Sequence, residues 1–162
     1  MEVKALNQRS LEGSSDDLVV EHWKKISALR AQISDLNADL NDTKNTIEVM
    51  LVAYDKAKSS DKTLQAELLK LRGQILALEQ EMRGSSARRE VGEKNEYPTM
   101  SDYLWNASNN SSTYGPTATQ LKCLENANAL FNQMTNKLNI INNALAPLEN
   151  KLEQIGAPKI KK

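Results

Sequence analysis

One cysteine, one phenylalanine, four prolines and six glycines in 162 residues exclude several ways of building a protein. Cys123 alone cannot form an internal disulfide, and it leaves the redox compartment open. With a single histidine beside it, a transition-metal site is not expected. The 21 basic and 21 acidic side chains cancel, so no net field draws in nucleic acid or an anionic membrane surface. Apolar runs are a few residues long, against the roughly 20 that a bilayer-spanning helix requires, and membrane insertion is not expected. The first residues show neither the charged nor the apolar region of a signal peptide. No stretch carries a catalytic or cofactor motif, so no catalytic residue, metal ligand or cofactor is assigned and the isolated chain is not expected to be an enzyme.

What the chain has instead is apolar residues in a 3-4 alternation. Val19, Ile26, Leu29, Ile33, Leu36, Leu40, Ile47, Met50, Tyr54 and Ala57 form one seam, with His22 and Thr43 as its two imperfect steps. No Pro or Gly interrupts it, and Ser15 or Asp16 can cap its start, where Asp16 and Asp17 also suit the helix dipole. The segment "SSDK", Ser59 to Lys62, breaks this helix and caps the next. Its seam is Leu64, Leu68, Leu71, Ile75, Leu78 and Met82, stopping at Gly84. So short a connection predicts an antiparallel hairpin.

Gly84 to Glu96 is polar apart from Val91 and reads as a mobile loop. Beyond Pro98, Thr99 or Ser101 can cap a short helix carrying Met100, Tyr103, Leu104 and Ala107. Next, "TATQ" at Thr117 to Gln120 has the form of a capping box. A third seam follows: Leu121, Leu124, Ala127, Phe131, Met134, Leu138, Ile141, Leu145, Leu148, Leu152 and Ile155. This helix is rich in asparagine, a mediocre helix former, and is expected to be held by packing. Pro147 predicts a kink near Asn143 to Pro147.

The fold class expected is all-α: an elongated up-down-up three-helix bundle with two long helices, one shorter helix and a short extra helix in the second connection. The helices fall at about 16–58, 61–83, 100–108 and 117–155. Residues 1–15 read as an extended lead-in from a preceding domain, 16–158 as the bundle and 159–162 as a basic tail. The strand-like start is expected of a piece of a longer chain.

Four of the seven aromatic side chains, Tyr97, Tyr103, Trp105 and Tyr114, fall between Asn95 and Gln120. The expectation is that they fill the end of the bundle that the short second helix cannot reach, rings buried and polar tips wet. A binding platform is the rival reading, and with His22 and Trp23 these residues make up the candidate interaction surface. His22 on a seam is expected to be a partly buried structural residue. The pairs Glu79 with Glu81 and Glu149 with Glu153 fit exposed faces with lysines nearby better than an acid-base dyad. Sequons at Asn106, Asn109 and Asn110 would accept glycans only in a secretory compartment.

The opening "EVKALNQRSLEG", the helix containing "VVEHWKKISALRAQI" and the closing "GPTATQ" and "ALAPLENKLEQIGAP" appear in that order. Together they resemble the helical region after the last β-domain of large secreted sortilin-like β-propeller proteins with BNR repeats, often labelled glycosyl hydrolases. That resemblance implies a C-terminal helical appendage of an exported protein, extracellular or in the cell envelope, with any hydrolase chemistry in the propeller. It implies a non-enzymatic accessory domain whose partner is the preceding domain or a cell-envelope protein, the chain itself being a monomer or homodimer. Two other functions fit the residues. One is an oligomerisation module whose first and third seams pair between chains; the other is a carbohydrate-binding module using Tyr103, Trp105 and Tyr114.

Overall fold

A computed structural model describes residues 13–109 and 114–159. Most of the lead-in, Asn110 with its sequon, and the end of the basic tail lie outside the described residues. Among those described, all regular structure is helical: α1 (Asp16–Asp55), α2 (Lys62–Arg83), α3 (Ser86–Glu90), α4 (Met100–Ser108) and α5 (Ala118–Gln154).

Local chemistry sets the helix ends. Ser15 caps α1 by accepting from the Leu18 amide, and Asp61 caps α2 by accepting from the Thr63 and Leu64 amides. At α4 and α5 the boxes close reciprocally. Thr99 pairs with Asp102, and Thr117 pairs with Gln120, each satisfying two amides that would otherwise lack partners. Gly84 ends α2 at φ 74°, a conformation that costs an L side chain but not glycine. Pro147 lies within α5, which continues past it to Gln154. It is exposed, so the Asn143 carbonyl that it cannot satisfy lies on the solvent side.

The seams become the core. Every residue of the second seam is buried, as are Ile26 to Tyr54 of the first and Leu124, Ala127, Met134, Leu138, Ile141, Leu148 and Leu152 of the third. They form one cluster, against which Phe131, Leu145 and Ile155 pack half-buried. The two imperfect steps are also inside: His22 is 4% exposed and Thr43 5%. Both keep the 3-4 spacing, and each meets a polar partner on another helix. Thr43 Oγ1 donates to Asn142 Oδ1 at 2.7 Å, and His22 Nε2 lies 3.1 Å from the Ala107 carbonyl.

Leu121 departs from expectation, being half exposed. Counting back from Leu124 by the alternation reaches Gln120, not Leu121, and Gln120 is the side chain turned partly inward. The apolar identity of Leu121 hid the true register.

Polar contacts give the helix directions. Glu48 meets Arg72, Lys44 meets Glu79 and Asn37 meets Arg83, so numbers fall along α2 as they rise along α1. Against α5, α2 pairs Glu67 with Lys151 and Glu81 with Lys137, again in opposite senses. Helices α1 and α5 run together: the Ser14 amide donates to the Tyr114 carbonyl at one end, and Ser59 to Ile155 at the other. The α4 helix packs on α5 and also touches α1 and α2. Its C-terminal end lies beside His22 and its N-terminal end beside the close of α2.

The segment expected to be a mobile loop contains α3 and is tied at its neck, where the Ser85 amide donates to Asn95 Oδ1 at 3.1 Å. A short polar sequence gave no apolar period to reveal this, because the tie is a single side chain closing on the helix end. Nor do the aromatic side chains fill the end of the bundle, as their size leads one to expect. Met100, Leu104 and Ala107 are the buried residues of α4, while Trp105 is 70% and Tyr97 75% exposed. Only Tyr103 packs partly against the core. Residues two apart on a helix point to different sides, so α4 cannot bury Tyr103 and Trp105 together.

Candidate functional site

Apart from Tyr103, which packs half-buried in the middle of α4, the candidate surface residues separate toward the two ends of that helix. At its C-terminal end, Ala107 offers one of the carbonyls that a helix terminus leaves without an intrahelical partner. A carbonyl only accepts, so His22 must present Nε2–H to it, which leaves Nδ1 as the other ring atom. Among the described residues, the buried Nδ1 has no hydrogen-bond partner. Trp23 stands edge-on to the imidazole, ring centroids 6.0 Å apart and planes at 70°. His22 is therefore the side chain by which α1 holds the end of α4. Tyr114 is close by through the Ser14 backbone contact.

Nearby, Gly115 has φ 101°, and a Cβ there would fall 2.6 Å from Ser14 Cβ. Only glycine lets the chain entering α5 pass this close to the start of α1. Trp105 projects from the outer side of α4, with Asn106 also exposed. The Trp105 backbone carbonyl accepts from Ser108 Oγ at 3.0 Å. Three rings from Tyr103, Trp105 and Tyr114 on one flat face are not what the structure presents, since Tyr103 is half-buried and Trp105 points away.

At the N-terminal end of α4 lies a cleft of about 560 Å³, bounded by the end of α2, the α3 segment, the approach to α4 and the middle of α5. Leu130, Met134, Ala77 and Pro98 supply apolar wall, and Tyr97 stands at the rim. Its polar lining includes Gln80, Glu81, Arg88, Asn95, Glu96 and Gln133. Glu81 is engaged by Lys137. Tyr97 stands out in the sequence but the cleft does not, because its walls come from segments about 50 residues apart. Gly84 and the Tyr97-Pro98 pair were the visible traces.

The paired carboxylates have other partners. Glu79 accepts from Lys44 and Arg83, and Glu153 sits 3.8 Å from Lys159. Such pairs with part-exposed side chains contribute up to about 1 kcal/mol each and fix side-chain positions more than they stabilise. Among the described residues, no group of three or more His, Cys, Asp or Glu is placed to hold a metal ion, and no helix is long and apolar enough to cross a membrane. Cys123 is half-buried with a free thiol.

Set against known protein families, curated proteins and solved structures, the chain matches none of them.

Proposed function

We propose that this chain is a non-enzymatic helical accessory domain, built as an elongated up-down-up three-helix bundle in which α4 extends the return leg begun by α2. The observation that carries this reading is that its three heptad seams bury one another within a single chain. The surface is then left for docking. By the resemblance of its opening and closing segments to the helical region of secreted sortilin-like β-propeller proteins, the domain belongs at the C-terminal side of a larger exported protein. Its partner is then the preceding domain or a cell-envelope protein, met through the ends that carry Trp23, Trp105 and Tyr97.

In the rival reading, as an oligomerisation module, the first and third seams pair between chains. Those residues would have to leave the positions in which Leu40, Ile47, Leu138 and Ile141 are already covered. The accessory reading is tested by incubating the purified chain with chromogenic glycosides and esters. No turnover above buffer is expected, and hydrolysis that tracks the protein through purification would overturn the reading.

A further inference from the structure

The cleft at the N-terminal end of α4 has lining chemistry that selects a class of ligand. It is an open cleft of about 560 Å³. Its polar groups are of both kinds, and about half are uncommitted. Among the described residues, Arg88 and Glu96 have no ion-pair partner, and the side chains of Gln80 and Gln133 have no hydrogen bond. Asn95 spends its oxygen on the Ser85 amide, and its Nδ2 donors remain. The lining is balanced in charge, Arg88 against Glu96 and Lys137 against Glu81, so no net field selects a charged ligand, and a ligand that both donates and accepts hydrogen bonds uses most of the lining. Tyr97 adds a ring that is 75% exposed, beside the apolar wall of Leu130 and Met134.

We propose that this cleft binds an uncharged, polyhydroxylated ligand, a short stretch of neutral oligosaccharide, with one sugar face on Tyr97 and its hydroxyls shared among Gln80, Arg88, Asn95, Glu96 and Gln133. A sugar ring has an apolar face ringed by groups that donate and accept, which is the pairing these walls offer. An extended peptide is served less well: among the described residues there is no strand edge to extend a backbone ladder. The approach to the cleft is set by Gly84, where a Cβ would lie 2.2 Å from Asn95 Nδ2 and displace the side chain that closes the neck.

The test is an NMR titration of the whole chain with neutral tetrasaccharides built on glucose, mannose and galactose, with a uronate tetrasaccharide and an acidic peptide as comparison probes. At least one neutral sugar is expected to give saturable shifts at the Gly84 amide and the side-chain amides of Asn95 and Gln133. Tyr97→Ala should weaken binding roughly tenfold, the loss of one ring contact. Gln133→Ala, at an exposed helix position, is expected to weaken binding with the fold unchanged by circular dichroism. The proposal is overturned by no shift with any neutral sugar, by shifts centred on Trp105, by binding of the uronate or peptide alone, or by binding that survives Tyr97→Ala. None of these results bears on whether the chain hydrolyses glycosides or esters.

Discussion

Replacing Thr43 by valine removes one hydroxyl from the middle of the molecule and leaves its volume almost unchanged. Thr43 is 5% exposed, and its hydroxyl donates at 2.7 Å to Asn142 on α5. A hydrogen bond of this kind contributes about 0.5–1.5 kcal/mol net, whereas a fully dry orphaned partner costs up to about 3 kcal/mol. Asn142 is half-buried, so its oxygen recovers water in part when the hydroxyl goes. The expected cost of Thr43→Val is therefore about 1 kcal/mol, a fall in Tm of about 2–4 °C for a chain of this size. Valine also adds a methyl to an apolar seam, which offsets some of that loss. The diagnostic quantity is thus the coupling in a double-mutant cycle with Asn142→Ala, measured by urea unfolding at unchanged m. A coupling near 1 kcal/mol is expected. A value inside about 0.3 kcal/mol, the ordinary error of additivity, would refute the register in which α1 and α5 run side by side.

Leu40→Ala, at a fully buried position, is expected to cost about 2–5 kcal/mol in the same urea assay, while Leu69→Ala, at a half-exposed one, stays within about 0.5 kcal/mol. Gly84→Ala is expected to lose about 1–3 kcal/mol from a backbone conformation (φ 74°, ψ 177°) that is essentially restricted to glycine, with further loss from the contact with Asn95 that Asn95→Ala partly restores. Lys25, hydrogen-bonded to Glu21 one turn away, holds the Glu21 carboxyl below its ordinary value of 4.5. A depressed carboxylate contributes support that is present above its unfolded pKa and disappears as the pH falls through its folded one. Lys25→Met should return the Glu21 titration, followed by NMR, to the ordinary carboxylate range; an unmoved titration would refute the assignment of cause.

The long helices and their inward faces were legible because 3-4 spacing survives without any knowledge of partners. That spacing even placed His22 and Thr43 inside, although their polarity marked them as defects. Their cross-helix partners, Ala107 and Asn142, were not legible: a helix period says which side faces inward, not what lies opposite. The caps at Ser15, Thr99 and Thr117 were local chemistry and could be read as such.

Leu121 shows the reverse failure. There residue identity outweighed spacing, and the partly inward Gln120 was missed. The aromatic residues between Asn95 and Gln120 misled for a related reason. Large rings suggest burial, but α4 has only three inward positions, and Met100, Leu104 and Ala107 occupy them. The cleft beside Tyr97 was beyond reach of the sequence because its walls meet only when α5 packs across the end of α2.

The account rests on the three seams satisfying one another within one chain. Light scattering behind size exclusion, over about a hundredfold range of concentration, measures this most directly through mass action. A constant mass near 18.1 kDa is expected. A mass that climbs toward twice that value with concentration, together with loss of helix on dilution, would mean that the seams are completed by a second chain and would contradict the account.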